Sequence, residues 1–254
     1  MTSTNGETLL VVENLCAPLF ESAASLWSGV SFSVERGTIL CLVSPFIRLF
    51  RHKGPDCSLP SLLPTPISTQ RGPSGSGKSV LLKCLAHLLV YPQGTLSLSG
   101  QSPSTLGVPV WRSKVLYLPQ RPALLPGTPA EFWDTLRAFK SRQGQQRNPG
   151  NPWEIAKEWG IEPGLFQQTW GSLSGGESQR IALAISLALK PVVLLLDEPT
   201  SALDSQAASQ VEATLLRVSA EGRQTCIWVT HSDEQAARVA TESLNLAGYL
   251  HAEV

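Results

Sequence analysis

The chain carries no net charge: 20 Lys and Arg stand against 20 Asp and Glu, and charged residues make up only 16% of its 254 residues. Proteins devoted to nucleic acid or to anionic membrane surfaces favour a basic balance, so both classes are disfavoured here, although a local basic patch is compatible with the totals. A disulfide scaffold is equally out of keeping. Five cysteines (Cys16, Cys41, Cys57, Cys84 and Cys226) are scattered, odd in number and never in C-x-x-C spacing. That pattern fits a reducing compartment and offers neither a zinc knuckle nor a redox pair. The opening residues Met1-Thr2-Ser3-Thr4-Asn5-Gly6-Glu7 lack the basic-then-apolar order of a secretory signal. No apolar run approaches the ~20 residues of a membrane-spanning helix. A soluble, cytosolic chain is the expectation. What is plentiful is apolar side chain, 42% of the residues, enough for a packed core in one large domain or two small ones.

The texture changes along the chain. Short strand-like runs come first: Leu9-Leu10-Val11-Val12, Val30-Ser31-Phe32-Ser33-Val34 and Thr38-Ile39-Leu40-Cys41-Leu42. Glu35-Arg36-Gly37 between the last two reads as a hairpin turn. A Pro-rich stretch follows, with Pro45, Pro55, Pro60, Pro64 and Pro66 and no period. From Gly72 onward strands and helices alternate. Helices are predicted through residues 80–88, 181–188, 205–221 and 233–240, and strands at 95–99, 115–118, 192–196, 225–230 and near 244–247. Residues 120–172, with Trp133, Trp153, Trp159 and Trp170, read as a small helical subdomain. The continuous apolar run Val192-Val193-Leu194-Leu195-Leu196 is that of a strand buried on both faces. Such alternation implies a mostly parallel sheet covered on both sides.

Gly72-Pro73-Ser74-Gly75-Ser76-Gly77-Lys78-Ser79 matches G-x-x-x-x-G-K-S. Glycines let successive backbone N–H groups turn inward as an anion nest, and the helix that starts here adds its positive end. Lys78 then reaches the β- and γ-phosphates of ATP, and the Ser79 hydroxyl ligates Mg²⁺. A Gly-rich turn by itself is usually only a turn; eight matching positions ahead of an apolar helix are not.

Two acids, Asp197 and Glu198, end the buried strand. Ligands bind at that edge of a parallel sheet. Asp197 is suited to hold Mg²⁺ through water and Glu198 to orient or deprotonate an attacking water; the plainer alternative is an acidic pair at a helix start. In Leu173-Ser174-Gly175-Gly176-Glu177-Ser178-Gln179-Arg180, Ser174 and Glu177 form a capping box. A cap needs no glycine pair, and Gly175 with Gly176 leave helix-start N–H groups bare as a second anion site.

With these residues in view, the chain resembles an ABC transporter ATPase domain over nearly its whole length outside residues 43–71. Residues 72–79 correspond to the Walker A motif and Gln120, in Leu118-Pro119-Gln120, to the Q-loop glutamine. Residues 173–177 correspond to the signature, with Glu where the commonest form has Gln. Asp197 and Glu198 end Walker B, Ser201-Ala202-Leu203-Asp204 is the D-loop, and His231, in Val229-Thr230-His231, is the switch histidine. A finer likeness is to bacterial Fet-type iron-export ATPase subunits and their plant aluminium-tolerance relatives.

The resemblance implies one α/β domain over residues 1–254: a P-loop NTPase with a RecA-like parallel-sheet core, an N-terminal antiparallel β subdomain and a helical subdomain. It implies an ATPase that works as a head-to-tail dimer, a homodimer in the simplest case, beside a separate membrane-spanning permease and without nucleic acid. The chain would then be cytoplasmic and peripheral to a membrane. ATP would lie between residues 72–79 of one copy and Ser174, Gly175 and Gly176 of the other. His231 would meet the γ-phosphate, Gln120 would sense Mg²⁺ and the permease, and Phe20 is the candidate to stack on adenine. Trp27 is expected in the core instead. A soluble ABC ATPase of DNA repair or translation is the competing reading. It is opposed by the lack of a long heptad run and of a second glycine cradle. A non-hydrolysing isoform is a further alternative, drawn from the Pro-rich stretch.

In this family the strand ending at Leu42 is expected to run almost directly into the glycine turn. Joining Leu42 to Arg71 restores that order and leaves residues 43–70 as an excess of 28. Val43-Ser44 is compatible with a splice donor and Gln70 with an acceptor, so a retained intron translated in frame is one origin. A true surface insertion is the other, tolerable because loop-closure entropy grows slowly with length. The intron is preferred because the break falls where the strand must aim the phosphate turn. A mature transcript that keeps these codons would rule it out. In the protein, the segment is expected to be poorly ordered and to loosen that joint. Deleting residues 43–70 should tighten ATP binding in a fluorescent-nucleotide titration, and unchanged affinity would contradict the loosening.

Overall fold

A computed structural model describes residues 7–17, 26–43, 77–122, 126–139 and 149–249. Its first elements are β1 (Thr8–Leu15), β2 (Val30–Glu35), β3 (Ile39–Val43), α1 (Lys78–Leu85), β4 (Thr95–Leu98), α2 (Pro103–Leu106), α3 (Val108–Lys114) and β5 (Val115–Leu118). Then come α4 (Pro129–Ala138), α5 (Pro152–Glu158), α6 (Gly175–Ala188), β6 (Val193–Asp197), α7 (Ser205–Ala220), β7 (Thr225–Val229), α8 (Asp233–Val239) and β8 (Glu242–Asn245). Short 3-10 turns lie at Pro163–Gln167, Trp170–Ser172 and Leu246–Tyr249.

Two sheets result. An antiparallel one has the order β2-β1-β4, and a five-stranded one the order β5-β6-β7-β3-β8. Every pairing in the second is parallel. The Glu35-Arg36-Gly37 turn is therefore not a hairpin: β2 pairs with β1, while β3 pairs with β7 and β8. The physical reason is burial. β2 alternates between buried and exposed positions, as a one-sided strand does, whereas all five residues of β3 are buried and demand cover on both faces. Gly37, at φ +78, turns the chain from one sheet to the other; a Cβ there would come within 2.8 Å of the Ser219 carbonyl.

Alternate residues of the parallel strands feed two cores, as the period of 2 requires. Ile39, Cys41, Leu194, Leu196, Cys226 and Trp228 face α6, α7, α8 and the segment between β5 and α6. Leu40, Leu42, Val193, Leu195, Ile227 and Val229 face α1 and the antiparallel sheet. Trp27 is fully buried in this second core. Cys41, Cys84 and Cys226 are unbridged, and burial pushes each thiol up to about 12. Val43, the first residue of the Pro-rich stretch, is the last of β3, buried and in register with Asn245; residues 44–70 lie outside the described residues.

Between β5 and α6, α4 begins with a full capping box, Thr128 with Glu131, and α5 with Asn151 accepting from the Trp153 N–H. Trp133, Trp159, Phe166 and Trp170 from this segment pack into the first core. Trp159 also donates from Nε1 to Thr214 Oγ1 on α7 at 3.0 Å. Trp159→Ala is expected to cost about 3–5 kcal/mol of stability, and Trp159→Phe, which loses chiefly the hydrogen bond, about 1 kcal/mol. Urea unfolding followed by far-UV circular dichroism measures both; equal costs would mean that packing of the ring is not what matters.

Candidate active site

Strand order brings distant segments to one edge. Leu118 is in register with Leu196, and Asp197 with Val229, so β5, β6 and β7 end together. Gln120 follows β5 by two residues, Glu198 follows β6 directly, and His231 follows β7 by two. Gly77, Lys78 and Ser79 open α1, which packs beneath the same sheet. This is the carboxyl edge, where an open α/β sheet binds ligands.

The side chains meet in two adjoining groups. Asp197, 6% exposed, accepts from Ser79 Oγ at 3.0 Å on one carboxylate oxygen and from Tyr117 OH at 2.9 Å on the other. Glu198 accepts from Gln120 Nε2 at 2.9 Å on Oε2, and His231 Nε2 lies 2.8 Å from its Oε1. Beneath both groups Gln179, 1% exposed, donates from Nε2 to the carbonyls of Gln120 and Glu198 and accepts from the Ala202 N–H. One amide thus fixes the backbone at both ends of the Gln120–Glu198 contact and at the turn beyond it. Glu198 itself sits at φ +47, a left-handed setting that costs a non-glycine residue about 1–2 kcal/mol and is typical of strained functional positions.

Lys78 is 5% exposed. Burial lowers the pKa of its ammonium, an effect opposed by the nearby Glu198 and Asp197 carboxylates. The Tyr117 phenol shifts the opposite way, upward, through burial and the charge of Asp197, so it remains a hydrogen-bond donor. Trp27 Nε1 donates to the Gly77 carbonyl at 3.3 Å. Gly77 has φ +74, and a Cβ on it would lie 2.5 Å from Trp27 Nε1. The last turn of the phosphate cradle is therefore pinned from below by a core tryptophan.

The structure thus brings together Lys78, Ser79, Gln120, Asp197, Glu198 and His231. Ser174, Gly175 and Gly176 take no part in the hydrogen bonds of this cluster. Ser174 and Gly175 are exposed at the start of α6, where Ser174 and Glu177 complete the expected capping box. The Ser174 N–H and hydroxyl, bonded to Glu177, hold its carboxyl below the usual range. A Cβ on Gly175 would meet nothing within 4 Å, while one on Gly176 would touch the Ala202 carbonyl at 3.3 Å. Asp204, the last D-loop residue, caps α7 by accepting from the Ala207 N–H. Phe20, Gly72, Pro73, Ser74, Gly75 and Ser76 lie outside the described residues. Sequence reasoning missed Tyr117 and Gln179. Tyr117 had a faint signal as the one polar tip in Val115-Leu116-Tyr117-Leu118; Gln179 stood in plain sight beside the capping box with nothing to show that it is buried.

Gly77→Ala meets both a left-handed backbone and the Trp27 ring. A nucleoside triphosphate is expected to bind at least tenfold more weakly to this variant, by isothermal titration, with secondary structure unchanged. Wild-type affinity in Gly77→Ala would show that the turn is not pinned by Trp27.

The ABC transporter family model, described as "ABC transporter", matches residues 67–201. ABC transporter I family member 17 of Arabidopsis thaliana is 36% identical over 169 residues, 66% of this chain and 63% of that protein. Protein STAR1 of Oryza sativa subsp. japonica is 38% identical over 169 residues, 66% of this chain and 48% of its own length. The matched part thus spans less than two thirds of either plant relative. The probable iron export ATP-binding protein FetA of Escherichia coli is 36% identical over 164 residues, 65% of this chain and 72% of that protein. In fold, the chain superposes on the solved structure of an ATP binding subunit of an ABC transporter with a TM-score of 0.68, at 21% identity, over 92% of this chain and 83% of that one. A family model that matches more than half of the chain means that the chain belongs to the ABC transporter family, among its ATP-binding proteins.

Proposed function

We propose that the chain binds and hydrolyses ATP with Mg²⁺ and passes the resulting conformational work to a separate membrane-spanning subunit. The observation that carries this reading is the pairing of Glu198 with Gln120 and His231 directly beside the Ser79–Asp197 contact. A carboxylate held on both oxygens by groups that can exchange for water and phosphate is suited to orient an attacking water and take its proton. His231 would contact the γ-phosphate once drawn from Glu198. Lys78 would face the β- and γ-phosphates with its dehydrated ammonium.

The donor set suits the metal. Ser79 Oγ and Asp197 Oδ1 are hard oxygens 3.0 Å apart, and the Gln120 amide is held on the neighbouring Glu198. No cluster of three or more His, Cys, Asp or Glu suited to a metal exists among the described residues. That fits an ion that takes few protein ligands and relies on phosphate and water oxygens. Mg²⁺, held there by Ser79 and Asp197, would supply positive charge to offset the charge that develops on the phosphate.

A second copy of the chain would supply Ser174, Gly175 and Gly176 across the nucleotide. The exposure of Ser174 and Gly175 at the start of the 14-residue helix α6 supports that role, since helix-start N–H groups bind anions. No helix among the described residues is long and apolar enough to cross a membrane, so the transport path would belong to a permease, with this chain peripheral on the cytoplasmic side. Metal ions are the cargo class to try first, given a relative named for iron export. Recovery of a multi-spanning protein with the chain would support the transport reading.

Glu198→Gln keeps the size of the side chain and removes its basicity. ATP turnover is expected to fall about 100-fold or more, while ATP is still bound and, on size exclusion with ATP, the variant runs as a dimer. Turnover within a few-fold of wild type, measured by phosphate release, would sink the reading.

A further inference from the structure

Behind Glu198 and His231 lies a buried polar network that the scheme above does not use. Its centre is Gln235, in the first turn of α8 and 9% exposed. Its Oε1 accepts from Thr230 Oγ1 at 2.7 Å. Its Nε2 donates to Thr200 Oγ1 at 2.8 Å and to Glu212 Oε1 at 2.7 Å. Both amide hydrogens are thereby engaged. The orientation of the amide is fixed as well, because a flipped one would set its oxygen against the Glu212 carboxylate. Glu212, on α7 and itself buried, is gripped by Arg238 of α8 through Nε and a terminal guanidinium nitrogen, each at 3.1 Å. A buried carboxylate demands such partners, so this end of the network is a firm anchor.

The other two bonds of Gln235 lead to the two turns that carry the catalytic pair. Thr230 precedes His231, and its hydroxyl also accepts the Ser232 N–H at 3.0 Å, closing the turn on which His231 stands. Ser232 in turn accepts the Gln235 N–H. Thr200 lies two residues past Glu198, and its carbonyl accepts the Leu203 N–H, while the Glu198 carbonyl accepts the Ser201 N–H. A single side chain therefore joins the His231 turn to the Glu198 turn and ties both to α7.

We infer that Gln235 is a positioning residue for ATP hydrolysis, setting the approach of His231 to Glu198. The inference rests on the ATPase reading proposed above and deepens it. Geometry of this kind is where rate is lost most easily, since a displacement of about 1 Å at a reacting group costs on the order of 100-fold. Gln235 is neutral for a reason: the titratable and charged groups around it are Glu212 on α7, Arg238 on α8, and Glu198 and His231 on the adjoining turns. A carboxylate in its place would stand against Glu212 and would regain a donor only by taking up a proton.

The test uses the full chain with Gln235→Ala and Gln235→Glu. Four quantities are read: kcat and KM for ATP, the number of ADP molecules bound per chain, and the imidazole NMR resonances of His231, assigned with His231→Asn. Both variants should lose about tenfold or more in kcat at pH 8, with KM within twofold and ADP bound at the wild-type stoichiometry. The His231 resonances should move in both. The ratio of Gln235→Glu to wild-type kcat should climb as the pH falls from 8.5 to 6, because the protonated acid replaces the amide donor; no such climb should occur for Gln235→Ala. Unmoved His231 resonances, kcat within twofold of wild type in both variants, or loss of ADP binding in both would overturn the inference, the last by making Gln235 a structural prop. A wild-type chain that fails to hydrolyse ATP would instead defeat the ATPase reading, and the His231 resonances would still decide whether Gln235 holds that turn.

Discussion

Everything at the site depends on two carboxylates delivered by a strand that has no polar side chain before its end. Val193, Leu194, Leu195 and Leu196 are fully buried, so β6 cannot slide along its neighbours without dragging apolar side chains into the wrong core. Asp197 and Glu198 inherit that rigidity. The Glu198 N–H still bonds to the Val229 carbonyl after the strand has ended, which carries the sheet one residue further and aims the second acid across the edge.

Around these acids the protein uses neutral amides and hydroxyls in preference to opposing charges. Gln120 holds the Glu198 carboxylate, Tyr117 and Ser79 hold that of Asp197, Gln179 holds the Glu198 backbone carbonyl, and Gln235 links the surrounding turns. Hydrogen bonds of this sort satisfy a carboxylate without neutralising it. The negative charge of Asp197 and Glu198 is felt by the buried Lys78 nearby. The ion pair of Arg238 with the buried Glu212 stands behind the site, away from Asp197 and Glu198. The site is therefore organised by dipoles whose geometry is specific, and small displacements matter more than the loss of any one charge.

Much of this was legible in the sequence, for local reasons. The Gly77-Lys78-Ser79 end of the cradle, the acids Asp197 and Glu198, and the capping box of Ser174 and Glu177 are contiguous patterns. The buried strand at 193–197 announced itself by composition. Gln120 and His231 were found through family resemblance and the order of motifs, not through any property of a lone glutamine or histidine. The hairpin after β2 was misread because a three-residue turn says nothing about which sheet receives the next strand; the unbroken burial of β3 decides that. Gln179, Tyr117 and Gln235 were missed because their partners lie between 5 and 80 residues away, and no spacing rule marks a glutamine as the centre of a buried network.

The position of β3 has a consequence for how the chain is made. This strand comes from the first fifth of the sequence, yet its neighbours in the sheet are β7 and β8 from the last; the Gly37 N–H finds its acceptor, Thr225 Oγ1, across 188 residues. During synthesis β1 and β2 can pair with each other and then with β4, whereas β3 leaves the ribosome with both of its partners, β7 and β8, still to be made. Non-local closure of this kind is slow, and nascent chains with unpaired apolar strands are the ones that aggregate or engage chaperones. A fault in β7 would therefore leave β3, a fully buried strand made long before it, without one of its two neighbours.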